Sequence, residues 1–159
     1  MPDSGFHSSK GKIMLALKDV VIGLQPEDME EAEVEVREDW LSGTGDPFRG
    51  VSIVDQGEQY DDGTVGTQDI GYIVGLIFVK KRTGDASLSS DKLMRWYELV
   101  RRRLSDQRLL AGMYGPEAPK EHICIVMPGK TLTDPKKWPN DLIRQLVVVS
   151  WIRELPTSY

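Results

Sequence analysis

Residues 57–75 read GEQYDDGTVGTQDIGYIVG, an acidic, glycine-rich run that passes straight into an apolar segment. As a ligand or metal loop this run would hold a site. As an excursion between two strands it would be part of a sheet. Asp61, Asp62 and Asp69 offer oxygens to a hard cation, but the spacing lacks the alternating acids and terminal glutamate of an EF-type loop. That leaves only adventitious Ca²⁺ or Mg²⁺ binding. The run therefore reads as a long hairpin-like connection with a polar, mobile tip near residues 61–67. From Ile70 onward it belongs to the core.

Working outward, Asp69 to Lys81 is the strongest strand of the chain. Tyr72, Val74, Leu76 and Phe78 share one face, and Ile73, Ile77 and Val79 share the other. Two apolar faces predict a strand that is central or covered on both sides. Upstream, GVSIVDQGE predicts a second strand, and WLSGTGDPFRG, punctuated by glycine and proline, predicts a loop. In AEVEVRED, Val34 and Val36 alternate with Glu33, Glu35 and Arg37, the period of a half-buried strand.

Helical periodicity appears twice. Ile13, Leu17, Val20, Val21 and Leu24 line one face of a helix over Ser9 to Leu24, broadened by Met14 and Leu15. Ser8 or Ser9 caps it, and Pro26 bars continuation. In DKLMRWYELVRRRLSDQRLL, Leu93, Trp96, Tyr97, Val100 and Leu104 make the second stripe, with Ser89 and Ser90 as expected N-caps. Two further strands follow in HICIVMPG and LIRQLVVVSWIRE, separated by the turn-rich TLTDPKKWPN. The order predicts a single α+β domain: a four- to five-stranded, mostly antiparallel sheet with both helices packed on one face. Residues 1–8 and 156–159 read as flexible ends.

A chain of 159 residues suits one core, and no apolar run approaches the ~20 residues that span a bilayer. The start lacks an apolar signal region, and a single Cys124 makes no internal disulfide. The expectation is a soluble protein of a reducing cytoplasm. Its net charge of −5 conceals an asymmetry. From Glu27 to Asp62, 13 acids face only Arg37 and Arg49; from Lys80 to Arg108, nine bases face four acids. Such patches suit either solvated faces or head-to-tail contact between copies.

Catalytic and cofactor motifs find little support. Gly129-Lys130-Thr131 follows a strand, but a phosphate loop needs glycine where Cys124 stands and a helix where Pro135 and Pro139 follow. His7 and His122 have no companion ligands, and Cys124 alternates within a strand as a small core residue would. Arg101, Arg102 and Arg103 point in different directions around a helix, and the chain is acidic, which argues against sequence-specific nucleic-acid binding. The expectation is no catalytic residue, no cofactor and no metal.

The element order resembles that of tail terminator proteins of long-tailed bacteriophages, the minor tail protein U type. The likeness is carried by the amphipathic first helix, GTQDIGYIVGLIFV, SSDKLMRWYELVRRRL and a last strand ending in LVVVSWIRE, over roughly Lys12 to Glu154. The resemblance implies a non-enzymatic virion protein of the phage neck, assembled in the host cytoplasm. It implies a hexameric ring that caps the tail tube, binds a head-completion or connector protein, and can surround DNA. The turn-rich stretches 40–50 and 113–140 depart from the shorter members of that family. Candidate subunit-interface residues are Glu33, Glu35, Glu38, Asp39, Asp61, Asp62, Arg95, Arg101, Arg102 and Arg103, with arginines expected to meet acids of an adjacent copy. The 61–67 tip is expected to reach a neighbouring subunit or the tail tube. The alternatives are a head–tail connector or tail-completion protein, and, from another class, a small cytosolic enzyme or ligand-binding module built on the Asp61–Asp69 loop.

Overall fold

A computed structural model describes residues 8–27, 33–62, 68–81, 86–105, 123–128, 136–137 and 139–154. The elements run α1 (Ser9–Gly23), β1 (Glu33–Arg37), β2 (Gly50–Asp62), β3 (Gln68–Lys81), α2 (Ala86–Leu104), β4 (Ile123–Pro128) and β5 (Asp141–Glu154). The strands form one five-stranded sheet in the order β1-β2-β3-β5-β4. All neighbours are antiparallel except β1 and β2, which are parallel. The expected α+β architecture is the one observed, with β3 at the centre.

Both helices cover one face. Ile13, Leu17 and Val21 of α1, and Leu93, Trp96, Tyr97, Val100 and Leu104 of α2, bury against Val51, Ile53, Val74, Leu76, Phe78, Leu146 and Val148. Phe78 anchors this core by edge-on contacts with Trp96 and Tyr97, at centroid distances of 5.4 and 5.8 Å. The buried Trp96 indole donates to the Val21 carbonyl at 3.1 Å, tying α2 to α1. Such an N–H needs a partner once water is excluded. Ser8 accepts from Gly11 N at 3.0 Å and caps α1, one of the two caps expected.

The opposite face carries a second, smaller cluster of Val54, Ile77, Val79 and Ile143, against which Trp40 packs. Parallel strands need a connection that returns along the sheet, usually through a helix. Here residues 38–49 make that return without one. They close on themselves through Phe48 N to Trp40 O at 2.9 Å, Ser42 N to Asp46 O at 2.6 Å and a Leu41–Pro47 bridge. The expected loop at 40–50 is thus a cover for the second sheet face.

Four local expectations change. α2 begins at Ala86, ahead of Ser89 and Ser90, because Ala86 and Leu88 are good helix formers and carry the helix through both serines. β2 runs on to Asp62 and β3 starts at Gln68, because pairing continues through the polar half of the hairpin. Val36 is 41% exposed although Val34 is buried, since β1 is an edge strand whose far end lies beyond the helix cover. Leu15 is 39% exposed, on the solvent side of α1.

Candidate functional site

The hairpin arm of β2 and β3 carries an irregularity and a buried charge. Between Asp55 and Glu58 the register slips, so that Gln56 and Gly57 oppose the single Ile73. This is a β-bulge, and Gly57 supplies its positive φ of 105°. The extra residue shifts the side-chain alternation by one. Asp55 and Glu58, of opposite parity in sequence, therefore both project to the helix side.

Lys10, in the first turn of α1, meets both. Its Nζ pairs with Asp55 Oδ1, with Glu58 Oε1 at 3.0 Å and with the Gly57 carbonyl at 2.7 Å. The Lys10 side chain is only 9% exposed, so the ammonium has exchanged water for these three oxygens. Gly57 N donates to Asp55 Oδ1 at 2.9 Å, closing the bulge. Burial alone would raise the Asp55 carboxyl, but the hydrogen bond and charge of Lys10 and the Gly57 amide outweigh it and hold the carboxyl below its ordinary 3.8. Ser8, Gly11, Met14 and Tyr72 complete a shallow cleft of about 320 Å³ around this clamp.

A second cleft, of about 540 Å³, opens at the far end of the sheet, with Asp46, Pro47 and Arg49 on one side and Lys137, Pro139 and Asp141 on the other. At its edge Arg49 Nε donates to the buried Asp141 at 3.1 Å. In both clefts charged groups pair with each other, which makes them fasteners of the fold.

The expected interface residues fall on separate parts of the surface. Glu33 and Glu35 lie on the β1 edge, where Glu35 accepts from Arg37 at 3.2 Å. Glu38 and Asp39 follow, both exposed, and Asp39 Oδ1 accepts from Trp40 N at 2.7 Å. Arg95, Arg102 and Arg103 are exposed on α2, Arg101 is half-buried, and Arg102 reaches Glu98 at 3.9 Å. α1 packs over β1 and β2, whereas α2 packs over β3, β5 and β4. The acidic β1 edge and the basic helix thus stand toward opposite lateral edges of the sheet.

Asp61 is exposed and pairs directly across the hairpin with Asp69, while Asp62 stands opposite Gln68. The tip between them, residues 63–67, lies outside the described residues, as do His7, His122 and Gly129-Lys130-Thr131. Cys124 pairs with Ser150 through the backbone of β4, and its side chain is likewise outside. Among the described residues no group of three or more His, Cys, Asp or Glu could hold a metal ion. No described helix is long and apolar enough to cross a membrane. Sequence reasoning missed Lys10, Asp55 and Asp141. Gly57 inside a strand pattern was the available signal for the bulge, but nothing local marks Lys10 as its partner.

No protein-family model matches this sequence, and no curated protein matches it either.

Proposed function

We propose that the protein is a structural subunit of the neck of a long-tailed bacteriophage, a tail terminator whose ring caps the tail tube and joins it to the head-completion complex. One observation carries the reading: the acidic β1 edge and the basic α2 stand toward opposite lateral edges of one sheet. A contact between two different patches of the same molecule is heterologous, and it closes into a ring when the rotation permits. Complementary charge favours that contact and disfavours pairing of like edges. The likeness of element order to tail terminators supplies the six-fold symmetry, the tail-tube and connector partners, the virion location and the non-enzymatic role.

Negative-stain images and sizing of the purified protein at low ionic strength test the proposal. Six-fold rings that dissociate as salt rises support it. A compact monomer or dimer that responds to a metal or small molecule and never forms rings overturns it in favour of a ligand-binding module.

A further inference from the structure

Among the described residues five large apolar side chains are exposed: Leu15, Ile22, Val36, Tyr60 and Leu99. Apolar residues exposed singly are ordinary on a protein surface, so what surrounds each one decides whether it marks a contact. Leu15 and Ile22 stand on α1 among Lys12, Lys18 and Asp19, of both signs. Tyr60 donates its hydroxyl to Glu58 at 3.2 Å on its own strand. Val36 and Leu99 differ, because each sits among charges that are mostly of one sign.

Leu99 is 38% exposed, the one apolar side chain exposed among the described residues of α2. Its neighbours on the helix surface lie three and four positions away, and the exposed ones are Arg95, Arg102 and Arg103. Glu98 reaches Arg102 only at 3.9 Å, in an exposed pair of little strength. Val36 is 41% exposed on the edge strand β1, whose Val34 is buried. The adjacent Arg37 is engaged, donating to Glu35 at 3.2 Å and stacked on the Phe48 ring at 4.4 Å. Glu33, Glu38 and Asp39 stay exposed along this edge.

A protein interface has an apolar centre and a polar rim. This chain carries two such patches with rims of opposite charge. Two Val36 patches would set acids against acids, and two Leu99 patches arginines against arginines, so each patch selects the other.

We propose that Val36 of one copy packs on Leu99 of the next, as the apolar centre of a head-to-tail contact whose rim sets Glu33, Glu38 and Asp39 against Arg102 and Arg103. The contact rests on the reading of the protein as a ring subunit, and it gives that ring an apolar anchor that salt does not screen.

Cys124 is the only native thiol, so Val36→Cys and Leu99→Cys add a second one to either patch. The two full-length variants are mixed at low ionic strength and treated with a short bis-maleimide, and the linked peptides are read by mass spectrometry. The expected link joins position 36 of one variant to position 99 of the other. Neither variant alone should link that position to itself. Leu99→Ala is expected to weaken self-association in sizing by about 3- to 10-fold, with circular dichroism unchanged. Like-to-like links, no 36–99 link in a sample that assembles, or undiminished association of Leu99→Ala would each overturn this contact and leave the ring reading standing. Wild-type protein that does not self-associate would overturn both.

Discussion

The indole of Trp151 lies over Gly71 on the neighbouring strand, and a Cβ on Gly71 would sit 2.9 Å from the ring. The glycine is a seat for the ring on the sheet face away from the helices. Gly71→Val is expected to displace the indole and cost about 1–3 kcal/mol. Thermal unfolding would show the lowered midpoint, and combining it with Trp151→Ala should remove most of the penalty. A penalty unchanged in that background would mean the ring is not what the side chain meets.

Gly50 presents a harder constraint. Its φ is +133°, and a Cβ would lie 2.1 Å from the Glu33 carbonyl oxygen, a backbone atom that cannot rotate away. Gly50→Ala is expected to cost about 2–4 kcal/mol and to loosen the parallel β1–β2 pairing. Faster amide exchange in Glu33–Arg37, with β3 and β5 unaffected, is the expected signature.

Lys10→Met tests the clamp. The methionine fills the space but leaves the Asp55 and Glu58 carboxylates and the Gly57 carbonyl without their cation. Asp55 is 55% exposed on its side chain, so water recovers part of the loss. The expected destabilisation is about 1–2 kcal/mol.

The same clamp sets a pH dependence. The folded carboxyl of Asp55 titrates below its ordinary 3.8, so its contribution is complete above that value. It is lost as pH falls through the lowered folded value, because the unfolded chain then binds the proton first. Denaturant unfolding across the acid range should show stability falling below about pH 4, less steeply in Lys10→Met.

Ser52 is fully buried, and among the described residues its hydroxyl has no hydrogen-bond partner. Ser52→Ala removes a desolvated polar group from an apolar sheet face. The expected change is between neutral and about 1 kcal/mol of added stability, read from the unfolding midpoint.

Reversing Arg102 and Arg103 to Glu changes exposed positions of α2 and leaves its buried stripe intact. The monomer fold, followed by circular dichroism, should be unchanged, while formation of the proposed ring at low salt should fall by at least about tenfold. Undiminished assembly would count against the proposed contact.

Much of the architecture was legible in one dimension. The period-two run of β3 and the helical stripes Ile13-Leu17-Val21 and Leu93-Trp96-Tyr97-Val100-Leu104 name their own buried faces, because apolar spacing must match the geometry that buries it. Periodicity does not say which neighbour a strand takes. The parallel β1–β2 pair and the Trp40 cover on the second face depend on where a non-helical connection lies in three dimensions.

The stretch GEQYDDGTVGTQDIGYIVG shows the division most sharply. Its residue types and spacing were enough to exclude an EF-type calcium loop and to read a hairpin with a polar outer half. Tertiary structure alone decided that one extra residue at Gln56-Gly57 turns Asp55 and Glu58 to the same side, where Lys10 from 45 positions upstream of Asp55 holds both. A sequence pattern records which faces repel water. The meeting of one buried ammonium with two distant carboxylates is settled only when the helix is laid on the sheet.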